Sequence, residues 1–384
     1  MPPGKGSGRR SRARAVALAC AVVAAAASSA CTEGAAEARD FDAACARGDA
    51  AACNELGERL RTGNHVLADW RRASDLFDQA CEGGEGEGCV RLARLHVHSR
   101  GERRGVPADS ALAATLFERG CDAGAMIGCT DLADMILATD SLAGRDSVAS
   151  AEAAGAPAST PTAQTAATES APPQDSTGNA TDDATAGDAT GETTAGDVTG
   201  EAPDSRSPVA VRAAALYRRA CDGDEMTACT RLGVLHGQGR GVERDPTRAA
   251  ELHRRSCDGG SQLGCTHLGL AYETGAGIER DPGRAATLYE VACEREMAAC
   301  HHLADLHTRG LGVARDYERA VELFDDACYG VVRDDERLPP FAGSCFRLGD
   351  MLANGTGVER DLYDAARYFR RACSLGIDEA CRRS

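Results

Sequence analysis

The spacing of its cysteines constrains this chain more than any other feature. Sixteen of the 18 cysteines form neighbouring pairs: Cys45/Cys53, Cys81/Cys89, Cys121/Cys129, Cys221/Cys229, Cys257/Cys265, Cys293/Cys300, Cys328/Cys345 and Cys373/Cys381. The interval to the next pair is 28 residues from Cys53 to Cys81, Cys229 to Cys257, Cys265 to Cys293, Cys300 to Cys328 and Cys345 to Cys373. With the short stretch inside each pair, the period is usually 36 residues, the range of stacked helix-turn-helix repeats. An even, paired set also implies disulfides and an oxidising compartment. A zinc site would want closely spaced ligands, and the chain contains no C-x-x-C, so neither metal nor cofactor is expected.

Each period reads as two helices. The first begins near the second cysteine of a pair and carries, three residues on, Leu56, Leu92, Leu132, Leu232, Leu268, Leu303 or Leu348, followed by Gly or Ala. A large residue beside a small one lets two helices approach closely. Glycines such as Gly239/Gly241, Gly275/Gly277, Gly310/Gly312 and Gly355/Gly357 then supply the positive φ of a helix stop. The second helix opens at Asp69, Asp109, Asp245, Asp281, Asp316 or Asp361, an N-cap residue whose carboxylate accepts from free N–H groups. The first cysteine closes one helix and the second opens the next, so a disulfide across the turn staples the hairpin. Closing such a loop contributes about 2.5 kcal/mol in the chain-entropy model.

Other segments deliver or interrupt the array. Residues 1–14 hold Lys5, Arg9, Arg10, Arg12 and Arg14, and an apolar run ends in Ser28, Ser29, Ala30 and Cys31. That arrangement reads as a signal peptide over residues 1–30. Its end resembles a bacterial lipoprotein box, with Cys31 lipidated and Ser28 replacing the usual Leu. Parity supports Cys31 as a lipid site, because removing Cys20 and modifying Cys31 leaves only paired cysteines. The expectation is an exported periplasmic or outer-membrane lipoprotein, or otherwise a secreted protein. An N-terminal repeat array is expected over residues 31–137 and a C-terminal one over 207–384. Between them, 138–206 is rich in Ala, Thr, Gly and acidic residues and reads as a disordered linker. It carries −10 of the chain's formal −16. The helix resuming at Pro208 lacks the usual Asp, and Ser207 is expected to cap it. Gly330 to Ser344 lengthens one turn, either as a recognition protrusion or as a tolerated insertion. The negative charge argues against nucleic acid as a partner.

The unit LGVLHGQGRGVERDPTRAAELHRRSC resembles the Sel-one-like repeat, a relative of the tetratricopeptide repeat. Its paired cysteines resemble those of the helicobacter cysteine-rich protein family. The resemblance covers residues 36–137 and 207–384 and implies an all-α, right-handed αα solenoid whose inner surface binds peptides or assembles complexes. It also implies the alternative of penicillin binding with weak β-lactamase activity.

The residues give that alternative little to work with. Serine β-lactamases need lysines beside the nucleophile, and the chain's one lysine, Lys5, lies in the expected signal. His96-Val97-His98 is a fragment of a metal motif, and His96, His236 and His307 each stand seven residues after a cysteine, which reads as a repeat position. His301, His302 and Asp305 form the least ordinary local group. A binding surface is easier to place. Positions one, two and five after the second cysteine vary while three and four do not. Arg231, His267, His302 and Arg347, all at position two, are expected to line a concave groove for a peptide, protein or cell-wall fragment. No catalytic residue is expected.

Overall fold

The computed structural model describes residues 27–97, 106–139, 207–333 and 336–384. Most of the expected signal and of the stretch 138–206 lies outside them. Helices α1 (Ala27–Cys45), α2 (Ala50–Thr62), α3 (Trp70–Glu82), α4 (Gly86–Val97) and α5 (Ser110–Asp122) come first, then α6 over residues 126–139. After residue 206 follow α7 (Pro208–Asp222), α8 (Met226–Gln238), α9 (Pro246–Asp258), α10 (Gln262–Thr274), α11 (Pro282–Ala292), α12 (Met297–Arg309) and α13 (Tyr317–Tyr329). The described chain ends with α14 (Ala342–Asn354), α15 (Leu362–Ser374) and the short α16 (Asp378–Arg383). Consecutive helices pack on one another, giving an αα solenoid stapled by a disulfide at each turn that joins a second helix to the next first helix.

The local chemistry explains why helices start and stop where they do. Asp69, Asp109, Asp245, Asp281 and Asp316 each accept a hydrogen bond from the backbone N–H three residues on, at 2.9–3.1 Å. Asp361 accepts two. Ser207 departs from expectation, because its side chain makes no cap bond; α7 opens instead with Pro208 at its first turn, where a missing N–H goes unnoticed. First helices stop at Gly63, Gly239, Gly275, Gly310 and Gly355, all left-handed. The second glycine of a loop has another task. A Cβ on Gly277 would sit on the Pro246 carbonyl at the start of α9, so only glycine lets one repeat's loop lie on the preceding repeat's second helix.

All eight neighbouring cysteine pairs are disulfides, with Cα–Cα distances of 4.5–4.8 Å. Most of these cysteines are buried, together with the Ala, Leu and ring residues of the helix pairs.

The repeat interrupted at residue 140 is whole in space. Cys121, Cys129, Ala133, Ala213, Ala214 and Tyr217 share one buried cluster. Tyr217 donates its hydroxyl hydrogen to Asp134, Arg212 and Arg219 reach Glu118 and Asp122 at 2.8 and 2.7 Å, and Thr130 Oγ1 donates to Glu225 at 2.8 Å. Helices α6 and α7 thus belong to one compact unit with the helices on either side. The long turn after α13 holds a two-residue antiparallel ladder, Val332–Arg333 with Glu336–Arg337. It is pinned by buried Leu338 and by Phe341, whose ring lies 5.0 Å from that of His301.

Candidate functional site

Arg231, His267, His302 and Arg347 stand at the same position of α8, α10, α12 and α14, on a row that crosses successive first helices. The row is less open than expected from sequence. His267 lies flat on His253 of α9, with ring centroids 4.9 Å apart and planes 19° apart. His302 covers Tyr289 of α11 at 5.2 Å and 18°. Arg383, the same position in α16, lies over Phe369 at 4.4 Å. Here the residue two past the second cysteine roofs the ring four before the first, so part of the row's variation answers to packing.

Electrostatics ties the row together. Burial lowers the His267 pKa, and Arg231 and His302 push it the same way. Burial also lowers His302, while Glu273 and Asp305 oppose the shift. Arg231 lies 3.6 Å from Asp134. Arg347 donates to Asp305 at 2.7 Å, and Arg309 bridges Asp305 and Glu273 at 3.1 Å each. Burial works to raise the Asp305 pKa, but the bonds from Arg347 and Arg309 outweigh it and hold the carboxyl below its ordinary value. The group His301, His302 and Asp305 is therefore divided. His301 turns away, 3.1 Å from Ser344 Oγ and against Phe324 and Phe341. The repeat-position histidines close loops: Nδ1 of His96, His236 and His307 lies 2.9–3.3 Å from the Pro107, Glu243 and Ala314 carbonyls. Among the described residues no three His, Cys, Asp or Glu side chains are placed to hold a metal ion.

A broad depression lies elsewhere, across α2, α4 and α6, with a volume of about 1060 Å³. Trp70, Leu95, Val97, Met135 and Ala138 give it apolar lining. Ion pairs edge it: Arg61–Glu58 at 2.5 Å, Arg91–Glu87 at 3.5 Å and Arg94–Asp131 at 2.7 Å, the last joining α4 to α6. Burial raises the Asp131 pKa despite Arg94, and nearby Asp134 and Glu225 add to the rise. On these first helices the lining comes mainly from positions two, five, six, eight and nine after the cysteine, a face that includes the row's position two. Position five was already among those that vary; extending the 3.6-residue period one more turn points to the rest. A smaller hollow of about 230 Å³ lies beside Arg309, Arg347 and Asp350.

Seven stretches of the chain match the Sel1 repeat: residues 50–85, 86–124, 201–225, 227–261, 263–296, 298–330 and 342–377, well over half of its length. The chain belongs to the Sel1 repeat family. Six of the matches run from one first helix to the turn after the next second helix, so the disulfides between matched units join neighbours. The shortened match at 201–225 is the interrupted unit, whose first helix is α6. The fold is similar to that of a protective antigen of uropathogenic Escherichia coli strains displaying an SLR fold, at 20% identity and TM-score 0.56, covering 89% of this chain and 57% of that one. It is also similar to a Sel1 repeat protein from Oxalobacter formigenes, at 18% identity and TM-score 0.53, covering 90% of this chain and 78% of that one. The curated proteins contain no match. Sel1-repeat proteins typically mediate protein–protein interaction, and the many disulfides of this one suit an oxidising, extracytoplasmic environment.

Proposed function

We propose that this Sel1 protein is exported, anchored to a membrane by lipid on Cys31, and engages an envelope protein by laying an extended segment of it across the first helices. The observation that carries this reading is the groove of about 1060 Å³ spanning three successive first helices, α2, α4 and α6. Its arginines already hold carboxylates of this chain, so the apolar lining supplies the drive and the paired rim limits which segments fit. The row Arg231, His267, His302 and Arg347 extends the same surface over α8 to α14. In this reading residues 31–137 and 207–384 act as one binding array.

Trp70 is the chain's one tryptophan and lines the groove, so its fluorescence reads occupancy directly. The test begins with cross-linking capture from envelope extracts by the oxidised chain, followed by titration of the captured protein against Trp70 emission. Val97→Arg with Met135→Arg, at lining positions outside the buried core, should weaken binding at least tenfold, and replacing Arg231, His267, His302 and Arg347 together with Ala should weaken it severalfold. Unchanged affinity in the first variant removes the groove from the proposal. Intact mass of the N-terminal peptide tests the lipid on Cys31 separately.

A further inference from the structure

The seam between α9 and α10 departs from the rest of the array. Four residues before the first cysteine, the other second helices from α3 to α15 carry Phe or Tyr, from Phe77 to Phe369, whereas α9 carries His253. Immediately before that cysteine the others carry Ala or Gly, whereas α9 carries Ser256. Ser256 is fully buried, donates to the Met226 carbonyl at 2.6 Å and lies 2.6 Å from Thr230 Oγ1. His253 is only 6% exposed, and its Nδ1 is buried with no hydrogen-bond partner. One face of its ring lies on Gly233, where a Cβ would come within 2.6 Å of Cε1; the other is covered by His267.

The groups that face this stack directly are cationic or able to become so. His267 of α10 faces His253, and Arg231 of α8 and His302 of α12 face His267. The nearby carboxylates are engaged elsewhere: Asp134 accepts from Tyr217 and lies 3.6 Å from Arg231, Glu273 accepts from Tyr289 and Arg309, and Asp305 accepts from Arg309 and Arg347. A proton on His253 would create a buried cation without an acceptor for its Nδ1–H, one on His267 would add a buried cation beside Arg231, and protons on both would place two cations face to face.

We propose that the α9–α10 seam is an acid-operated hinge, in which protonation of the stacked His253 and His267 parts the two helices while the Cys257–Cys265 disulfide keeps their turn ends joined. Burial holds His253 at about 3, with His267 pushing it the same way, and holds His267 below its ordinary value too. Both closed-state values lie below the unfolded value near 6.5, so the opened seam binds more protons than the closed one. Above that pH the closed seam loses nothing. Below it, opening becomes favoured by about tenfold per pH unit for each histidine, until the closed-state value is reached. The other seams, with Phe or Tyr in place of His253, lack the second imidazole of this stack. The hinge does not depend on the binding role proposed above.

Hydrogen exchange by mass spectrometry on the full oxidised chain tests it, with rates corrected for their intrinsic pH dependence. Opening of residues 246–274 should increase by one to two orders of magnitude per pH unit between about pH 6 and pH 4.5, while residues 50–97 change severalfold at most. His253→Phe and His253→Tyr, which install rings the other units already carry, should each reduce that slope by about tenfold per unit. Opening that ignores pH, that rises equally in every repeat, or that keeps its full slope in a folded variant overturns the proposal. Should one variant misfold, the other and the wild-type profile still decide.

Discussion

Gly269 of α10 lies directly under the ring of Tyr289 of α11, so close that a Cβ at 269 would come within 2.6 Å of Cε1. The same relation joins Gly57 to Phe77 and Gly349 to Phe369. Gly269→Ala should therefore destabilise by about 1–2 kcal/mol, overpacking exceeding the gain in helix propensity. Gly237, on α8, is a control, because a Cβ there meets only Ala249 at 3.9 Å. Gly237→Ala should stabilise by about 0.5–1 kcal/mol. Melting followed by circular dichroism distinguishes the two signs.

The helix caps separate positions that look alike in sequence. Asp281 accepts from Arg284 N at 3.0 Å, and Asp281→Ala should cost about 1 kcal/mol. Ser207→Ala should change stability by less than about 0.5 kcal/mol, because the Ser207 side chain caps nothing. Equal losses in denaturant titrations would contradict the cap geometry.

Replacing Cys81 and Cys89 together with Ala should cost about 2.5 kcal/mol from chain entropy alone. Loss of Cys328–Cys345 should cost about 3 kcal/mol on the same basis, because it closes a 17-residue separation rather than eight. Non-reducing peptide mapping should find each cysteine with its neighbour in sequence, and any other pairing would refute the stapled hairpins.

A protease site placed within 140–206 should yield two fragments that remain together. Helices α6 and α7 share buried Ala133, Ala213 and Tyr217, so native size-exclusion chromatography should show one species after cleavage. No disulfide of the array crosses the cut, since Cys129 pairs with Cys121 and Cys221 with Cys229. A non-reducing denaturing gel should therefore show two bands. Fragments that separate in native buffer would mean that this interface cannot hold alone.

The features legible in the sequence are those made within one unit and repeated. Asp caps, Leu-Gly steps and paired cysteines each solve a local problem, so repetition exposes them. The stack of His267 on His253 was not legible, because the two residues belong to neighbouring units and meet only when the units stack. The groove escaped for a related reason: Trp70, Leu95 and Met135 are ordinary apolar positions until three helices bring them to one surface. Ser207 shows the opposite failure, a suitable residue at a suitable place whose side chain turns elsewhere.

The nearest-neighbour disulfides also bear on how such a chain matures. A polypeptide emerging N-terminus first into an oxidising compartment presents each cysteine with its correct partner before the following pair appears. Closure of Cys45 with Cys53 needs nothing from the far end of the chain, and the same holds pair by pair to Cys373 and Cys381. Oxidation can thus follow translocation in order, each finished hairpin serving as the template on which the next one docks.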